Sequence, residues 1–388
     1  MRDVAVIGIG LTKFGELWDK SFRNLIAEAG SKAILDSGIA GKDIDGLYVG
    51  SMSAGRFIGQ EHIGSLVSDA AGFANLYLPS IRVESADASG GVAFRQAYLS
   101  VASGLNDVVV VGGVEKMTDV VGTAATDILA TGLDQEWEAF FGSTLAGIHG
   151  MIATKHMKDY GTTREQLAQV AAKNHSNGAL NPFAQFKRAI PVERILGSPI
   201  EAYPLTMLDC SPVSDGAASV ILCAAEKAKE YTDKPIKIIG SGQASDTLAL
   251  HARKNICTFN STVKAAERAY QQAKIKPEDI DLAEVHDSFT IAEILAVEDL
   301  GFVKKGEGGR AIEQKITTLD GKIPINPSGG LKAKGHPVGA TGVAQIAEIV
   351  MQLRGEAENR QVKDAKIGLT QNVGGAGASC VVNILEAI

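Results

Sequence analysis

Short β-branched runs alternate along this chain with stretches in which apolar residues recur every three or four positions. Val4–Ile7 gives way to a helix-period segment at Phe22–Leu35, and a second apolar run follows at Gly46–Val49. That alternation predicts βαβ units, with a parallel or mixed sheet covered by helices. From Gly90 to Gly104, Phe94, Ala97 and Val101 fall at i, i+3 and i+7, and Gly104 is a natural stop. From Thr341 to Gly355, Val343, Ile346, Val350 and Leu353 repeat the pattern. The longest apolar runs, such as Val108–Val111, are strand-sized. None approaches the ~18–20 residues of a membrane span.

The pattern occurs twice. Val6-Ile7-Gly8-Ile9-Gly10 resembles Ile238-Ile239-Gly240-Ser241-Gly242, and Lys42-Asp43-Ile44-Asp45 resembles Glu278-Asp279-Ile280-Asp281. The helical stretches at 90–104 and 341–355 form a third pair. Gly216–Leu222 and Ala376–Val382 form a fourth, in the same order. The spacing between partners is nearly constant for three pairs and then drops, so the first half carries extra residues between Gly104 and Ser219. We therefore divide the chain into halves at 1–232 and 233–388, with an inserted helical lobe at 116–205 that includes a helix start at Thr162–Glu165. Two such halves can pack with helices between their sheets, and ligands gather at the carboxyl ends of the strands.

Composition narrows the function. The chain has 388 residues and a net charge of −7. Its acidity argues against nucleic acid as the main partner. Cys210, Cys223, Cys257 and Cys380 form no C-x-x-C pair, so no zinc site is signalled. The chain opens directly on a strand pattern, from which we expect no secretory signal and a cytoplasmic location. Glycine is the departure: 43 residues, about 11% against a usual ~7%.

Much of that glycine sits in motifs able to carry chemistry. Gly8-x-Gly10 follows a strand, but the third glycine of a dinucleotide fingerprint is replaced by Lys13, so a strand ending in a tight turn is the better reading. Asn326-Pro327-Ser328-Gly329-Gly330 precedes Gly335-His336-Pro337-Val338-Gly339-Ala340-Thr341-Gly342. This is a glycine-rich loop running into a helix N-terminus, suited to an anion or a developing negative charge. His286-Asp287 follows the apolar run Ile280–Val285. Gln371-Asn372-Val373-Gly374-Gly375 lies between two strand runs, and Val83–Gly91 is a strand, a sharp turn and a helix start that can display a nucleophile.

Together these motifs resemble the thiolase superfamily over the whole chain, and His-Asp-x-Phe resembles its archaeal and sterol-carrier-protein-like branch. The resemblance implies a duplicated α/β thiolase fold of five layers, αβαβα, with an inserted helical loop domain. It implies an acetyl-CoA acetyltransferase that joins two acetyl-CoA into acetoacetyl-CoA, or the reverse, without a permanently bound cofactor or metal. His336 would activate the nucleophile, and His286 with His336 would form one oxyanion hole. The backbone N–H groups of residue 87 and Gly374 would form a second, and the 116–205 insertion would hold coenzyme A. Expected partners are a second copy or three, and in archaeal relatives hydroxymethylglutaryl-CoA synthase and a small zinc/OB-fold protein.

One residue breaks the pattern. The family has cysteine where this chain has Asp87. A carboxylate is a poor nucleophile, and its acyl product is a high-energy anhydride. An engineered substitution, a natural non-catalytic paralogue, or an oxidised cysteine recorded as Asp would each produce it. The usual acid/base cysteine is also missing: its two customary places hold Asn372 and Ser288. A non-catalytic coenzyme A-binding scaffold is thus the competing expectation, and a nicotinamide oxidoreductase a remote one.

Overall fold

The computed structural model describes residues 2–388. In chain order the main elements of the first half are β1 (Val4–Leu11), α1 (Phe22–Ser37), β2 (Gly46–Gly50), α2 (Ile63–Ala70), β3 (Ser80–Val83), α3 (Ser89–Ser103), β4 (Val108–Glu115), α4 (Leu145–Tyr160), α5 (Arg164–Gly178) and β5 (Gly216–Ala224). The second half contributes β6 (Ile236–Ser245), α6 (Asn260–Ala273), β7 (Leu282–Glu284), α7 (Thr290–Asp299), α8 (Val338–Arg354), β8 (Ile367–Gly374) and β9 (Ser379–Ala387).

The nine strands run in the order β3-β2-β4-β5-β1-β6-β9-β8-β7. The halves meet edge to edge at β1 and β6 through Val4–Ile238, Ala5–Lys237 and Val6–Ile236. Their ladders are therefore continuous at one seam rather than fully separate. Outward from the seam the order repeats: β1-β5-β4-β2 in one half, β6-β9-β8-β7 in the other. In both, the outermost of these pairs is parallel and the inner ones antiparallel. Helix α1 covers β1 and β5, and α6 covers β6 and β9. Between them lie α3 and α8, and α8 touches strands of both halves. Every residue of α8 is buried.

Gly8 and Gly10 sit inside β1, not in a turn after it. A Cβ at Gly10 would lie 2.1 Å from the Ala29 carbonyl of α1, and one at Gly242 would lie 2.0 Å from the Ala265 carbonyl of α6. These glycines let a helix press against the sheet, once in each half. Helix ends follow the sequence signals: α3 stops at Gly104 (φ 83°) and α8 at Gly355 (φ 74°). Thr163 and Gln166 form a reciprocal capping box at the start of α5.

Candidate active site

Three segments converge beside the start of α3. After β3 the chain turns through Ala86, whose φ of 47° lies in the left-handed region. This turn sets Asp87 at the mouth of the helix, 3% exposed. The second segment is the loop before α8. Gly335 at φ 116° has no room for a Cβ, which would meet Ser214 Oγ at 2.9 Å. That close approach lets the His336 N–H donate to Ser214 Oγ (2.9 Å). The third segment links β7 to α7 and carries His286, whose N–H donates to Gln371 Oε1 (2.8 Å).

Neighbouring groups fix where each ring carries its proton. Thr341 Oγ1 donates to the Pro337 carbonyl (3.0 Å), so it accepts from His336 Nδ1–H (2.7 Å). The His336 Nε2 then faces Asp87 Oδ1 at 3.2 Å. His286 is held the opposite way. Asn372 accepts from Gly91 N–H through Oδ1 (3.1 Å), and its Nδ2 donates to the Asp87 carbonyl (3.1 Å). That same Nδ2 lies 3.0 Å from His286 Nδ1, which must accept. The proton of His286 is therefore on Nε2, which is buried and has no partner among the described residues. Burial, and then the charge of His336, push His286 down to about 3, so its ring is neutral. The two rings lie 5.1 Å apart and cross at 86°.

Burial alone would raise Asp87, but the hydrogen bond and charge of His336 outweigh it and hold the carboxyl below its usual range. Its Oδ2 accepts from Gly375 N–H at 2.8 Å. The backbone donor that reaches the residue 87 side chain is thus Gly375, the residue after Gly374. Gly374 belongs to β8 and pairs with Ser379. A Cβ there would strike the Ser85 carbonyl at 2.5 Å.

Asp87, His286 and His336 place one ligand atom each within 4.8 Å of one another. Two histidines and a carboxylate are a familiar metal-binding set. The donor chemistry does not fit: His286 Nε2 bears a proton, and turning Asn372 to release it would break its bonds to Gly91 and Asp87. The cluster is arranged to hold protons.

Asp87 and His336 open onto a cavity of about 420 Å³. Leu129, Leu145, Phe186 and Glu201 line it from the insertion, and Phe289 and Lys332 from the second half. Ser288 and Cys210 also border it. Burial, followed by the charge of Asp209, pushes the Cys210 thiol up to about 12, so it offers no thiolate. Thr341, Ser214 and Asn372 are the positioning groups; each stands in a motif of the sequence, but with no positioning role assigned to it there. Thr341 lies inside the quoted His336 run, so its place was visible but not its bond.

Family models match most of the chain: "Thiolase, N-terminal domain" over residues 4–198 and "Thiolase C-terminal domain-like" over 242–387. An acetyl-CoA acetyltransferase of Methanothermobacter thermautotrophicus is 59% identical over 386 residues, covering all of both chains. Sterol carrier protein 2 of Bos taurus is 34% identical over 97% of this chain and 71% of its own. The solved "Ltp2-ChsH2(DUF35) aldolase" superposes with a TM-score of 0.86 at 28% identity, over 99% of this chain and 98% of that one. The chain belongs to the thiolase family, in its archaeal and sterol-carrier-protein-like branch. It is an acyltransferase of the thiolase type. No helix among the described residues is long and apolar enough to cross a membrane.

Proposed function

We propose that the site is built to join two acetyl-CoA molecules into acetoacetyl-CoA, or to cleave the product with coenzyme A. The observation that carries this reading is the meeting of residue 87, His286 and His336 within 4.8 Å, with residue 87 and His336 lining one cavity. An enolate forms when an α-proton leaves a thioester, and its oxygen gathers negative charge. His286 Nε2–H is an unpartnered donor in that cluster, and a protonated His336 Nε2 is a second. The enolate carbon then attacks the acyl group held on residue 87, forming the new C–C bond and releasing that residue. Ser288 and Asn372 do not titrate near neutrality, which leaves His336 as the proton carrier. The 116–205 insertion would hold coenzyme A, supported by its side chains along the cavity, Leu129, Leu145, Phe186 and Glu201 among them. The halves at 1–232 and 233–388 would each supply one side of the site.

Asp87 disables one part of this scheme. Attack by its carboxylate on acetyl-CoA would expel coenzyme A and leave an anhydride, well above a thioester in energy. Both carboxylate oxygens are also already engaged, by His336 and Gly375. In our reading the enolate half is intact and the acyl-carrying half is blocked. Restoring the thiol tests this. Asp87→Cys is expected to cleave acetoacetyl-CoA in the presence of coenzyme A; a folded variant that binds coenzyme A but shows no cleavage would overturn it. The second reading, a coenzyme A-binding scaffold, rests on the same engaged carboxylate and predicts that silent variant.

Assembly belongs to the same proposal: a homodimer or homotetramer, and contact with hydroxymethylglutaryl-CoA synthase through a zinc/OB-fold protein. The solved relative is itself named as a complex of Ltp2 with ChsH2(DUF35), which favours a second protein partner.

A further inference from the structure

A second cavity, larger than the one at Asp87, lies elsewhere in the molecule. It has a volume of about 530 Å³ and lies on the outer face of the first-half sheet, beneath α1 and α2. The two cavities share no lining residue.

Its origin is legible in β4. Side chains of a strand alternate between faces, and in β4 Val109 and Val111 enter the central core while Val108, Val110 and Val114 enter the outer one. Gly112 falls in the outer register, where a valine would continue the row. It pairs with Ser219 of β5, another small residue of that face. A Cβ at Gly112 would meet only Val49 Cγ2, at 4.0 Å, and a Cβ at Gly30 of α1 would meet nothing within 4 Å. Elsewhere the same helix presses on Gly8 and Gly10 too tightly for any side chain. The packing therefore opens locally, over the small residues.

Two features define what would fill the space. No charged side chain lines it; its walls are apolar groups such as Ile26, Ile34, Leu47 and Val67. A carboxylate, a phosphate or coenzyme A would be buried there without a counter-charge, at high cost. The second feature is Ser219. It is 3% exposed and lines the cavity, which makes it the polar side chain that the sheet offers to a hydroxyl or carbonyl lying there.

We propose that this cavity is a binding site for an uncharged, lipid-like molecule whose single hydroxyl or carbonyl pairs with Ser219. A volume of this size is within the usual range for small-molecule sites. The site is independent of the thioester chemistry, since it lies on the other face of β4 and is lined by none of the catalytic groups.

Calorimetric titration of the full chain with 1-dodecanol, with dodecanoate at pH 8 as the charged counterpart, tests this. The alcohol is expected to bind one per chain and the carboxylate at least about tenfold more weakly. Gly112→Val and Gly30→Leu each fill the cavity from a different side and are expected to abolish binding while the fold remains intact by circular dichroism. Ser219→Ala, which removes one hydrogen bond, is expected to weaken it about three- to tenfold. Saturating acetyl-CoA is expected to leave the alcohol's affinity unchanged. No binding of dodecanol would overturn the proposal. So would equal binding by either filled variant, equal binding of dodecanoate, or displacement by acetyl-CoA, which would place the alcohol in the cavity at Asp87.

Discussion

The loops carrying His336 and His286 bring two imidazoles to the same few ångströms and give them opposite chemistry. His336 donates its Nδ1–H to Thr341 Oγ1 and turns Nε2 toward residue 87. His286 has its Nδ1 filled by Asn372 and keeps its proton on Nε2, which has no partner among the described residues. The rings are the same; a hydroxyl and an amide decide which one handles protons and which one only offers a hydrogen bond. Proton placement in this site is set by the residues behind the histidines.

Substitutions behind and at the rings would sharpen that contrast, and they are best made in the Asp87→Cys background. There, His336→Ala removes the group that takes the nucleophile's proton, and thiolysis is expected to fall on the order of 10³-fold or more. Asn372→Ala frees the His286 ring and unfixes its proton. A loss of about 10²-fold in kcat, with KM little changed, is expected, the cost of one oxyanion donor. If His286 worked as a proton carrier instead, the pH profile of that variant would shift as well. Thr341→Val keeps the shape and deletes one hydrogen bond, and about tenfold is expected. A Thr341→Ser variant should recover most of it.

A smaller effect concerns stability. His286, His149 and His175 are pushed down to about 3, 4 and 3, in each case chiefly by burial. The folded chain keeps them neutral, whereas the unfolded chain protonates each near the ordinary value of 6.5. Below about pH 6.5 the unfolded state therefore binds more protons, and stability falls with pH. Asp87 has its carboxyl held low, so its contribution is present above the ordinary 3.8 and is lost only at lower pH. Urea unfolding at pH 7.5 and pH 5 should differ by several kcal/mol, at about 1.4 kcal/mol per unit per histidine. A His286→Gln variant is expected to show a smaller difference. Equal stabilities at the two pH values would mean that these rings are not neutral in the fold.

Much of the fold was legible because it repeats. Residues 6–10 and 238–242 resemble each other since each strand must admit a helix at two glycines, and that demand is written in the sequence twice. The seam between β1 and β6 was not legible, since three backbone pairs leave no side-chain signature. His336 stood out because Gly335 and Pro337 bracket it, His286 because a His-Asp pair follows an apolar strand run, and the nucleophile position because a strand, a sharp turn and Gly90-Gly91 surround it. The positioning roles of Thr341, Ser214 and Asn372 were not legible, because a hydroxyl or an amide within a motif looks the same whether it faces solvent or a ring. The outer cavity follows from one glycine in a valine-rich strand, and only the space above Gly112 gives that residue its meaning.

In this account Asp87 is what keeps the site from carrying an acyl group. Intact-mass measurement after mixing with acetyl-CoA tests it most directly. The Asp87→Cys variant should gain the mass of one acetyl group and lose it when coenzyme A is added, while the unaltered chain gains none. An acetyl adduct on the unaltered chain, or its absence from a folded Asp87→Cys variant that binds coenzyme A, would contradict the account.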